Sequence, residues 1–195
     1  AVQRRRTLDW LIDAKVRTPA ALEAPIRDIL RLVTYEMLWS DSVPVPVSVD
    51  QAVRLAAQIP GAARRIGARR GVVNAVARAV AVDGAARLAG LCDDTWERAA
   101  VRHSMPDWIA RALVTALGHD LAVGAMTAAN APSESVLRWN ALRGGIDDLA
   151  AQLPPAAVRC APPFEDAFTL PGAFAPEDSQ IWREGRVMAQ TRASM

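Results

Sequence analysis

Residues 25–39 read PIRDILRLVTYEMLW, with Ile26, Ile29, Leu30, Val33 and Met37 recurring every three or four positions. A stripe of that period buries one face only as an α-helix. Arg27, Asp28, Arg31 and Glu36 fill the opposite face, and Pro25 suits a first helical turn. The same period precedes it in TLDWLIDAKV, where Leu8, Leu11 and Ile12 share a face, Trp10 lies beside them, and Thr18-Pro19 sets a stop. Asp41-Ser42 ends the second helix, and Pro44 and Pro46 imply an extended link. Ser48 or Asp50 then caps VDQAVRLAAQI, which Pro60-Gly61 closes. RRGVVNAVARAVAV predicts a further helix over 69–82, ended by Asp83-Gly84. Gly71 and Asn74 are mediocre helix formers inside it. They read as a close packing point or polar contact, or as tolerated surface residues.

Residues 85–131 continue the helical pattern. RLAGLCDDTWERAAVRHS ends at Met105-Pro106. DWIARALVTALG places Ile109, Ala112, Leu113 and Ala116 in stripe positions and stops at Gly118, and HDLAVGAMTAAN follows. The pattern changes after Ser133. SVLRWNAL alternates as a strand does, GGIDDLAAQL reads as a helix after a Gly-Gly turn, and residues 154–180 are rich in loop residues. One short strand is predicted at Ala167-Phe168-Thr169-Leu170 and another within EGRVMAQTRASM. The fold class is mainly α: a helix bundle, a helical linker, and a small, incomplete α+β lobe.

Charge is distributed unevenly. Residues 1–80 hold 13 Lys/Arg against 7 Asp/Glu, and residues 81–195 hold 10 against 14. All the basic residues but Lys15 are arginine, and they cluster at Arg4-Arg5-Arg6, Arg64-Arg65 and Arg69-Arg70. Arginine presents a planar fork that meets phosphate in bidentate fashion. The cluster reads either as an electrostatic footprint for nucleic acid or as an ordinary solvated face in an arginine-preferring chain.

Catalytic and metal chemistry finds no constellation. His103 and His119 stand outside metal spacing and read as surface or capping residues. Cys92 and Cys160 are far apart and lack a nearby histidine, which argues against a disulfide, a zinc site or a nucleophile. Asp93-Asp94 and Asp147-Asp148 are adjacent pairs, which diverge on a helix. No G-x-G-x-x-G or G-x-x-x-x-G-K-[ST] occurs. No run approaches the ~18 apolar residues of a membrane span, and the N-terminal AVQRRRTLDW is no signal peptide, so the expected location is cytoplasmic. The residues alone support a binding module.

An ordered set of segments adds to this reading. RRRTLDWLI, PIRDILRLVTYEMLWSDSVPVPVSVDQAVRLA and RRGVVNAVARAVA resemble the NusB-like domain of the Sun (Fmu, RsmB) family of bacterial 16S rRNA cytosine-5 methyltransferases, within the NOL/NOP/Sun superfamily. HSMPDWIARALVTALG, SVLRWNAL and GRVMAQTRASM resemble its later segments. Thr191 stands where that pattern has Asp, and Met105 is an extra residue before Pro106. The resemblance implies a NusB-like RNA-binding domain at 1–82 lacking its first helices, a helical linker at 83–131, and a small α+β N-lobe at 132–195. That lobe would lead into an absent S-adenosylmethionine-binding methyltransferase domain. It implies no catalytic, cofactor-binding or metal residue here; S-adenosylmethionine and the catalytic cysteines belong to the parent. The implied partner is 16S ribosomal RNA, with Arg4, Arg5, Arg6, Arg64, Arg65, Arg69 and Arg70 as phosphate contacts. The alternative is a NusB-type transcription antitermination adaptor, which would end near residue 82.

Overall fold

The computed structural model describes residues 2–40, 43–131, 134–170 and 178–194. The chain divides into two compact units, residues 1–131 and 132–195.

In the first unit, a 3-10 turn at Val2–Arg4 leads into α1 (Arg5–Asp13), followed by α2 (Ala24–Trp39), α3 (Val45–Gln58) and α4 (Ala63–Ala89). Each contributes its stripe to one core: Leu8 and Ile12 from α1; Ile26, Ile29, Leu30 and Val33 from α2; Val49, Ala52 and Ala56 from α3; and Val73, Val76, Ala77 and Val80 from α4. The α2 stripe is as the sequence predicts, except that Met37 is only partly buried. The expected stop of α2 at Asp41-Ser42 lies outside the described residues. A second core joins Ala99 and Ala100 of α5 (Trp96–Arg102), Ala110 of α6 (Asp107–Leu117), and Ala122 and Met126 of α7 (His119–Ala129). Gly118 separates α6 from α7 at φ +77°, a left-handed conformation that glycine adopts without strain.

Five local expectations are corrected. Pro46 does not extend the link: α3 starts at Val45, and proline is tolerated in a first turn whose N–H has no helical partner. Ser48 makes no cap and is buried inside α3. The helix expected over 69–82 runs over 27 residues, through Gly67 and past Asp83-Gly84, because the Val73–Val80 stripe continues into a contact between Gly84 and Leu38. On α6 the buried position is Ala110 rather than Ala112 or Ala116, and Leu113 and Val114 complete an i, i+3, i+4 stripe. Gly90–Asp94 then interrupt the predicted helix, and the Thr95 hydroxyl accepts from Arg98 N at 3.3 Å to start α5.

Gly67 and Gly71 serve no packing role: a Cβ at either would meet nothing within 4 Å. Asn74 accepts from Arg78 of the same helix at 2.9 Å. Glycine in a helix interior costs about 0.5–1 kcal/mol relative to alanine. The double substitution Gly67→Ala, Gly71→Ala is therefore expected to stabilise the first unit by about 1–2 kcal/mol in urea denaturation.

The second unit is a four-stranded antiparallel sheet. Its strands are β1 (Ser135–Trp139), β2 (Val158–Arg159), β3 (Ala167–Leu170) and β4 (Val187–Ala189), in the order β2-β3-β1-β4. Leu137 pairs with Phe168 on one side and Ala189 on the other. Leu137, Phe168, Leu170 and Val187 form its core with Leu149 of α8 (Ile146–Ala150), Leu153, and Ile181 of α9 (Gln180–Arg183). β1, β3, β4 and α8 fall where the sequence predicts elements; β2 arises in the stretch expected to be loop, and α9 begins at the last residue of that stretch.

Candidate nucleic-acid interface

The seven arginines singled out by the sequence occupy three kinds of environment. Arg69 is buried, 7% exposed, on the inner face of α4. Its Nη2 donates to Glu23 Oε2 at 2.6 Å, its Nε to the same carboxylate at 3.2 Å, and its Nη1 to the Ile59 and Pro60 carbonyls at 3.1 and 3.0 Å. Its fork is filled. It clamps the α3–α4 link to the approach of α2, and Gly61 leaves room for it, since a Cβ there would come within 3.1 Å of Nη1. The Arg69 hydrogen bond holds the Glu23 carboxyl below the usual carboxylate range. As a free phosphate contact Arg69 is corrected by this geometry.

Arg6 is also structural. Its backbone N donates to Ser104 Oγ at 2.9 Å, Nη1 to the Met105 carbonyl at 2.7 Å and Nη2 to Asp107 Oδ1 at 2.5 Å. Thr7 Oγ1 adds a bond to the Val101 carbonyl at 2.7 Å. These bonds fix the start of α1 to the α5–α6 turn, where Ser104 sits at φ +57° and the extra Met105 supplies an acceptor. A comparable lock joins α1 to α2: Arg31 grips Asp9 with two bonds of 2.8 and 2.7 Å, and Arg27 reaches Asp13 at 2.7 Å. Burial pushes the Asp9 carboxyl up, but Arg31 and Arg27 outweigh it and hold the group below its ordinary value.

The remaining candidates face solvent. Arg5, Arg64 and Arg70 are exposed and have no side-chain partner among the described residues, and exposed Arg65 reaches Glu23 at 3.5 Å. Arg4 lies with its guanidinium 5.9 Å from the Trp39 ring centroid. Sequence reasoning missed Arg78, which shares the open side of α4 with Arg64 at a spacing of two heptads. It also missed Arg102 and Trp39, which gather with Arg4 beside Ala85, Leu88 and Ala89. The cluster is not one patch. At 1.5 Å per residue, Arg64 and Ala85 stand roughly 30 Å apart along α4, so Arg4 and Arg64 mark opposite ends of the helix.

Of the two readings of His103, surface or capping, the structure takes the second: it is the C-cap of α5, 8% exposed, with Nε2 3.4 Å from Asp93 Oδ1. The His119 ring hydrogen-bonds the Asp93 carbonyl. Among the described residues, no group of three His, Cys, Asp or Glu could hold a metal, and no helix is long and apolar enough to cross a membrane.

A family model, the NusB family, matches residues 1–82, the span that holds α1 to α3, most of α4 and the exposed arginines. Residues 1–82 are a NusB-family domain. The NusB domain is joined by a match along the whole chain, 23% identical over 200 residues, to the probable ribosomal RNA small subunit methyltransferase B of Bacillus subtilis (strain 168). A 30-residue stretch is 63% identical to the transcription antitermination protein NusB of Geobacillus kaustophilus (strain HTA426). The matched stretch spans 42% of the length of the first relative and 23% of the second. The NusB domain and the chain-length match together support an N-terminal piece of the Sun/RsmB family.

Proposed function

We propose that the chain is the RNA-binding front of an S-adenosylmethionine-dependent rRNA (cytosine-5) methyltransferase, and that it holds ribosomal RNA of the small subunit for methylation by another part of the same protein. The observation that carries this reading is the match along the whole chain to a small-subunit rRNA methyltransferase, which includes the β1–β4 unit as well as the NusB domain. A NusB-type antitermination adaptor is favoured only by the 30-residue match and leaves the second unit unexplained.

Cys92 is exposed and bonds only the Gly90 carbonyl, and Cys160 is half-buried behind a two-residue strand. No step of the reaction is therefore assigned to them. What the chain supplies is electrostatics: Arg5, Arg64 and Arg70 hold guanidinium groups that are unpaired among the described residues and face water, where phosphate contacts set affinity and register rather than base choice. Such a task places the protein in the cytoplasm with its substrate.

The test is RNA binding by the 195-residue chain, followed by fluorescence anisotropy across salt concentrations. Replacing Arg5, Arg64 and Arg70 together by alanine is expected to weaken binding to all sequences and to reduce the slope of log K against log salt by about 2, at ~0.7 per single-strand phosphate contact. Unchanged affinity and slope would remove these arginines from the interface.

A further inference from the structure

The last turns of four helices meet in one cleft of the first unit. Leu38 and Trp39 come from the end of α2, and Ala85, Leu88 and Ala89 from the end of α4. Arg102 and His103 come from the end of α5, and Thr127, Asn130 and Ala131 from the end of α7. Arg4 closes the rim, and the cavity encloses about 520 Å³. The wall is mainly apolar, carries two guanidinium groups and contains no carboxylate. Trp39 is half-buried and stacks on Tyr35, with ring centroids 5.8 Å apart and planes 18° apart. Arg102 is steadied by the Leu91 carbonyl and by Asp93 Oδ2 at 3.4 Å.

We infer that this cleft takes one unpaired nucleotide of the bound RNA, its base against Trp39 and its phosphate at Arg4 and Arg102. The inference rests on the RNA-binding reading above and places a second contact roughly 30 Å from Arg64 along α4. Three properties select this ligand. A neutral π-face suits an apolar wall with an indole in it, and stacking on aromatic side chains is how proteins hold splayed-out RNA bases. Helix C-termini concentrate carbonyl acceptors and partial negative charge, which favour the exocyclic amino groups of bases and disfavour a bare anion. Asp93, behind the wall, is already engaged by Arg102 and lies 3.4 Å from His103, so the cleft offers a cation no free carboxylate, and its two guanidinium groups suit the phosphate joined to the base. Among the described residues Arg4 is held by a 5.9 Å ring contact alone, so its guanidinium can swing to the phosphate as the base stacks. An RNA duplex keeps its bases stacked and cannot enter.

The experiment compares a single-stranded RNA decamer with a duplex of the same length on the full 195-residue chain. The variants are Arg4→Glu, Trp39→Ala and the pair Arg64→Ala, Arg70→Ala. The expected result is at least about five-fold weaker single-strand binding for Arg4→Glu and for Trp39→Ala, with duplex binding unchanged. Arg4 precedes the first helix and is partly exposed, so Arg4→Glu separates loss of binding from loss of fold if Trp39→Ala fails circular dichroism. A second readout is the Trp39 indole N–H resonance on titration with cytidine and adenosine monophosphates: it should shift, and inorganic phosphate alone should leave it in place. Single-strand binding that survives Arg4→Glu and Trp39→Ala but falls in the Arg64→Ala, Arg70→Ala pair overturns the cleft and leaves the RNA reading intact. If no RNA binds the wild-type chain, that reading fails. A mononucleotide shift at Trp39 would then sustain the cleft as a nucleotide site, and its absence would overturn it.

Discussion

Leu30→Ala is expected to cost the first unit about 2–5 kcal/mol, read as the shift in its urea midpoint at unchanged slope. Leu30 is fully buried at the centre of the core shared by α1 to α4. Its neighbours Leu8, Ile12, Ile29 and Val33 lie on helices cross-linked by Asp9–Arg31 and Asp13–Arg27. Helices tied in this way cannot close in on a missing isobutyl group, so a cavity term adds to the lost burial. Leu32→Ala on the same helix is the control: Leu32 is 55% exposed, and its loss is expected to stay within about 0.5 kcal/mol.

The second large effect is Arg69→Ala, which should lower Tm by several degrees while Arg64→Ala leaves it unmoved. Removing Arg69 strips Glu23 of its main partner and leaves the Ile59 and Pro60 carbonyls without their donor. The pH dependence carries a definite sign. Arg69 holds the Glu23 carboxyl below its ordinary value of 4.5, so between 4.5 and the folded value the unfolded chain binds more protons than the native one. The stabilisation is complete above pH 4.5 and declines as the pH falls through the depressed value. The gap between wild type and Arg69→Ala should therefore narrow in acid, down to what the bonds to the Ile59 and Pro60 carbonyls contribute. A gap that stays constant or widens as Glu23 protonates would show that the ion pair is not part of what Arg69 contributes.

Arg69 and Arg64 look alike in a list of basic residues, and the structure gives them opposite tasks. The distinction was present in the sequence as phase. Arg69 stands four, seven and eleven residues before Val73, Val76 and Val80, on their face of α4, whereas Arg64, Gly71 and Arg78 share the other. Phase within a helix is legible once its limits are known, and here the start was obscured by Gly61 and Gly67. The helices with strong stripes, and β1 and β3, were legible because burial on one face imposes a period. β2 and α9 were not: two and four residues carry no period, and they exist because β3 and the β-sheet core supply their partners. The cleft at Trp39 was equally hidden, since it assembles residues 4, 39, 89, 102 and 130, whose proximity depends on packing alone.

The family boundary at residue 82 falls inside α4, which continues for seven more residues to Ala89. The inherited module and the physical element therefore do not share an edge. A recombination event that grafted residues 1–82 onto another protein would cut a helix in mid-course, removing Gly84 from its seat against Leu38 and the α4 wall from around Trp39. Any new sequence joined there would have to be helical from its first residue and small at its second. Successful shuffling of this module thus requires the recipient to donate the end of a helix, a demand that a loop boundary would not make.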